Sequence, residues 1–116
     1  MTLQSFDELF VKYRDEQNKF KKVGQITCPI KELNAFSILR KILKRDKSFD
    51  RMKNDSLFYL DSQENQYEVT EHFLFLNVDV NVLVRNIKTE QEVIDLIRCG
   101  VDYSSSYRQL FFKIYY

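Results

Sequence analysis

Backbone breakers are almost missing from this chain. Gly24, Gly100 and Pro29 are the only glycines and proline in 116 residues, and Ala35 is the only alanine. Average usage would supply about 8 glycines and 6 prolines at this length. The chain therefore has few places to take a left-handed or broken conformation. Most residues must sit in regular elements or in turns built from Asn, Asp and Ser. A glycine-rich phosphate loop cannot be written with Gly24 and Gly100 alone. Flexible linkers, collagen-like repeats and Pro-rich ligand segments are excluded on the same ground. The core must be built from rings instead: 10 Phe and 7 Tyr, without Trp, in a chain that is 44% hydrophobic. That is enough apolar material for one compact domain over 1–116.

The first half reads as helix. Ser5-Phe-Asp-Glu8 has the form of a capping box, with apolar positions following at Phe6, Leu9, Phe10, Tyr13 and Phe20 and Gly24 as a stop. The pattern predicts a helix over 6–22. Val23–Cys28 reads as a short strand or a connection. Pro29 suits a first turn, and residues 30–46 carry a broad apolar face of Leu33, Phe36, Ile38, Leu39, Ile42 and Leu43, which predicts a second helix. Lys47–Asp55 reads as a loop. Then the period shortens: Leu57–Asp61, Tyr67–Val78 and Val82–Ile87 read as an antiparallel meander, with turns at Ser62–Gln66 and Asp79–Asn81. Thr89-Glu-Gln-Glu92 is a second capping box and Gly100 a second stop, so 90–98 reads as a short helix. The tail 107–116 fits either periodicity, and its ring density favours strand. The expected fold is α+β: two N-terminal helices on one face of an antiparallel sheet of three to four strands, with a short helix before the C-terminal strand.

Charge is uneven. The net charge is +1, which gives no overall field for nucleic acid or membrane. Yet residues 1–55 hold 13 basic against 8 acidic side chains, and residues 56–116 hold 5 against 9. The cations concentrate in 31–53. Arg40, Lys41, Lys44, Arg45, Lys47 and Arg51 form the candidate partner-binding patch, suited to an acidic protein surface or to phosphates. Tyr103, Tyr107, Tyr115 and Tyr116 form the second candidate surface, because tyrosine is enriched in protein interfaces.

Little in the chain carries covalent chemistry. His72 is the only histidine, and neither Cys28 nor Cys99 sits in a nucleophile signature; a strand histidine on a half-buried sheet face accounts for His72. One His and two separated Cys do not make a zinc site. The carboxylates Asp61, Glu64, Glu68 and Glu71 cluster near one predicted hairpin and read as a solvated edge. No catalytic residue, metal or cofactor is therefore assigned, and a small hydrolase or nuclease using those carboxylates ranks last. The N-terminal stretch lacks a basic start followed by an apolar run, and no apolar run is long enough to span a bilayer. The expectation is a cytoplasmic protein without a membrane role.

Phe, Tyr, Met, Ile, Asn and Lys total 45 residues against 11 for Gly, Ala, Arg and Pro, which points to AT-rich codons, as in a low-GC bacterium, its phages or plasmids, or a virus. The functional expectation is a non-enzymatic protein-binding module, an inhibitor or adaptor of the anti-defence or immunity-protein kind that binds a protein target stoichiometrically. The alternative is a nucleic-acid binder using the basic helix 31–53. A homodimer through the tail, as an edge strand with exposed tyrosines, completes the expected partners.

Overall fold

A computed structural model describes residues 1–49, 58–61 and 71–115, with 58–61, 71, 72, 114 and 115 described by backbone alone. The fold is α+β. The elements are α1 (Leu3–Lys12), two 3-10 segments (Arg14–Asn18 and Phe20–Lys22), α2 (Lys31–Leu43), β1 (Phe58–Asp61), β2 (Glu71–Leu76), α3 (Val80–Asn86), α4 (Glu90–Arg98), β3 (Asp102–Ser104) and β4 (Gln109–Tyr115). The predicted turn Ser62–Gln66 and most of the loop Lys47–Asp55 lie outside the described residues.

The first helix begins earlier and ends sooner than the apolar spacing predicts. Thr2, not Ser5, is the cap: its hydroxyl accepts from the Ser5 N–H at 3.0 Å. The α-helix stops at Lys12 because Arg14–Asn18 offers no residue to bury, and a helix without an apolar face gains little from packing. Glu16 in that stretch is instead held by Arg98 of α4, Nε to Oε2 at 3.2 Å.

Of Val82–Ile87, expected as a strand, Val82–Asn86 lie in helix α3. Asp79 is its cap, with Oδ1 accepting from Asn81 N at 2.9 Å and from Val82 N at 3.4 Å. Val80, Val82, Leu83 and Val84 are all buried. These four line the core side of the helix, while Asn81 and Arg85, one turn apart, are exposed on the other side.

Helix α4 is the hub of the helical layer. The Thr89–Glu92 capping box forms as the spacing predicts. Its end is a Schellman motif: Gly100 N donates to Ile97 O at 2.9 Å and Val101 N to Leu96 O at 3.1 Å, with Gly100 at φ 91°. That left-handed residue is where one of the two glycines is needed. Val93, Leu96 and Ile97 are fully buried, in contact with α1, α2 and both 3-10 segments.

The sheet is antiparallel with strand order β1-β2-β4-β3. The tail is a strand, as its rings favoured. Gln109–Tyr115 pairs with β2 on one side, and its Gln109–Phe111 part pairs with β3 on the other, so the tail is not an edge strand over those three residues. The third position of the predicted meander is filled by this tail strand. Leu76, Leu110 and Phe112 face the helices and are buried, with Leu74 and Tyr103 packed against them. Phe36 of α2 meets Phe112 edge-to-face at 6.1 Å, and Phe6 of α1 meets Tyr103 at 5.2 Å. Both N-terminal helices thus reach the same sheet face.

Leu96 is fully buried at this hub, so Leu96→Ala should cost about 2–5 kcal/mol. Val11 lies 58% exposed on α1, and Val11→Ala should stay within about 0.5 kcal/mol. Urea denaturation of the two variants beside the parent checks the contrast.

Candidate functional site

The expected basic patch divides on inspection. Arg40, Lys41, Lys44 and Lys47 are exposed, and among the described residues none of their side chains makes an ion pair or hydrogen bond. Arg45 is withdrawn from the patch. Its guanidinium grips Glu92 of α4 in a bidentate pair, NH1 to Oε1 at 3.0 Å and NH2 to Oε2 at 2.6 Å, and NH1 also donates to Asn86 O at 3.0 Å. Arg51 lies outside the described residues.

Three ion pairs join the two halves of the chain: Arg45–Glu92, Arg85–Asp46 and Arg98–Glu16. Two of them consume carboxylates of the cationic half, Asp46 and Glu16, in pairing with arginines of the acidic half. Those carboxylates are then unable to neutralise Arg40, Lys41, Lys44 and Lys47. The surplus positive charge stays on the surface.

Next to those cations the structure shows a feature that the sequence pattern concealed. Leu33, expected in the core, is 48% exposed, and Ile30 and Ile26 are 52% and 47% exposed. By helical spacing, Ile30, Leu33, Ser37, Arg40 and Lys44 follow one another along one side of α2, with Lys41 beside them. The buried side of the helix carries Ala35, Leu39, Ile42 and Leu43. The exposed side is apolar at its N-terminal end and cationic at its C-terminal end.

The connector that carries Ile26 is fixed by one buried amide. Asn34 has no exposed surface. Its Oδ1 accepts from Thr27 N at 2.8 Å, Thr27 Oγ1 at 3.0 Å and Cys28 N at 3.3 Å, and its Nδ2 donates to Cys99 Sγ at 3.5 Å. Both cysteines are free thiols; Cys28 meets Asn34 through its backbone N–H and Cys99 through its Sγ. Burial pushes the Cys99 thiol up, partly offset by the Asn34 hydrogen bond.

The tyrosines also separate. Tyr103 is half-buried between Phe6 and Phe10 and belongs to the core. Tyr107 is 58% exposed in the turn between β3 and β4, its ring 5.9 Å from Phe75. It borders a cleft of about 350 Å³ with Phe73, Phe111 and Ser104–Ser106. The Tyr115 side chain and Tyr116 lie outside the described residues, as do the side chains of His72, Asp61 and Glu71. No cluster of His, Cys, Asp and Glu gathers among the described residues. No helix among them is long and apolar enough to cross a membrane. No family model, curated protein or solved structure matches the chain.

The ion pairs set an acid limit on the fold. Hydrogen bonds from Arg85, Asn86 and Ser48 hold the Asp46 carboxyl far below its ordinary 3.8. For Glu92, burial raises the value, but the Arg45 hydrogen bonds and the Lys88 and Thr89 N–H groups outweigh it and leave the carboxyl below 4.5. A depressed carboxyl stabilises the fold fully above its unfolded value and loses that contribution as pH falls through its folded value. Stability should therefore fall as the pH drops below about 4, and Asp46→Asn should flatten that fall. Urea midpoints between about pH 5 and pH 2 test it; equal slopes for parent and variant would remove Asp46 from the account.

Proposed function

We propose that this chain is a non-enzymatic protein-binding module, an inhibitor or adaptor that holds a protein target in a stoichiometric complex. The observation that carries the reading is the exposed side of α2, where Ile30 and Leu33 continue into Arg40 and Lys44. Protein interfaces combine apolar anchors with peripheral charge, and the cations steer and orient an acidic partner. A surface that tracks phosphates needs the cations but gains little from half-exposed Ile and Leu. Small size and AT-rich codon usage fit an inhibitor carried by a phage or other mobile element, including the anti-defence kind. The nucleic-acid alternative keeps one supporting observation, the four unpaired cations.

The test is capture of a target from a bacterial lysate on the immobilised protein, followed by light scattering of the purified pair and affinity measurements. A 1:1 complex is expected. Leu33→Asp and the double variant Arg40→Glu/Lys44→Glu should each weaken it by about tenfold or more. In parallel, a short DNA duplex is titrated at about 50 and 200 mM salt. Tight, steeply salt-dependent DNA binding that ignores Leu33→Asp would replace this reading with the nucleic-acid one.

A further inference from the structure

A second cleft, of about 390 Å³, opens between α2, α4 and the connector 23–30, within the size range of small-ligand pockets. Lys41 lines it from α2 and Asp95 from α4. These opposite charges share the cleft without pairing. Lys41 has no partner among the described residues. Asp95 uses only one oxygen: Oδ1 accepts from Gln91 Nε2 at 2.9 Å and faces Arg98 NH1 at 3.7 Å. Oδ2 accepts no hydrogen bond among the described residues. It is also the atom that a Cβ on Gly24 would meet, at 3.9 Å, so the missing side chain at Gly24 leaves the approach to Oδ2 open.

The remaining lining groups complete the chemistry. Glu92 has both oxygens taken by Arg45, so its charge is matched within the protein. Ser37 and Thr27 present hydroxyls, hydrogen-bonded to each other at 3.3 Å, and Ile38 supplies an apolar wall. An inorganic anion would meet the carboxylate of Asp95, and a metal cation the ammonium of Lys41. A neutral ligand would take Lys41 Nζ and Asp95 Oδ2 out of water without a charged partner. A ligand carrying both charges satisfies each.

We propose that this cleft binds a zwitterionic α-amino acid, with its ammonium at Asp95 Oδ2 and its carboxylate at Lys41 Nζ and the Ser37 hydroxyl. Nitrogen–proton correlation spectra of the whole chain test this, with L-alanine and L-glutamine as probes and N-acetyl-L-alanine and L-alaninamide as single-charge controls. Both amino acids should give saturable shifts at the Gly24, Ser37, Lys41 and Asp95 amides. Each control should bind at least about tenfold more weakly, because one charge is left unpaired. Asp95→Asn, which can keep its contact to Gln91, and Lys41→Met should each weaken binding about tenfold with the other resonances in place. No saturable shift by about 20 mM, or equal binding of the controls, overturns the assignment. So do variants that bind as the parent does. Asp95→Asn leaves Leu33, Arg40 and Lys44 unaltered, so failure here and failure of the protein-binding reading are separable.

Discussion

The amide of Asn34 is the constraint on which both surface sites rest. Asn34 is fully buried, and a buried amide left without hydrogen-bond partners costs about 1–3 kcal/mol, so the non-helical connector is held where its N–H groups meet Oδ1. Asn34 Oδ1 takes the N–H groups of Thr27 and Cys28 together with the Thr27 hydroxyl, and its Nδ2 reaches Cys99 at the end of α4. One side chain thereby ties the connector to two helices. Ile26 and Ile30 are presented beside Leu33 because the connector is held there. Gly24, Gln25 and Thr27 wall the cleft between α2 and α4 for the same reason.

Charge placement follows a second logic. Arg45, Arg85 and Arg98 are spent on long-range pairs that pin α2, α3, α4 and the first 3-10 segment to one another. Burying Arg45 against Glu92 is tolerable because the pair is bidentate and Asn86 O takes a further N–H, which leaves neither charge uncompensated. Lys41, Lys44 and Arg40 have no such partner. They stay hydrated, and their charge remains available to whatever approaches α2.

Much of the architecture was legible in the sequence, and the exceptions have physical causes. Helix α4 was readable to its ends because a capping box and a glycine stop bracket it. The tail strand was readable from its rings, but its interior position was not, since pairing with β3 depends on a strand of only three residues, Asp102–Ser104. Helix α3 was misread because its exposed face is only Asn81 and Arg85, and the Val-rich run between them has the composition of a strand. The cations of α2 were legible as a group. The loss of Arg45 was not, since Glu92 lies far along the chain. Leu33 shows the limit of a wide apolar face: it sits about 120° around the helix from Leu39, too far round for both to be buried against the same neighbours.

The most direct measurement is amide hydrogen exchange at Thr27 and Cys28. The account predicts slow exchange at both, approaching that of the buried α4 amides, because each N–H is bonded to a fully buried acceptor. Exchange as fast as that of an exposed loop would contradict it, since the connector would then be free of Asn34 and neither the apolar end of the α2 face nor the wall of the cleft would be preformed.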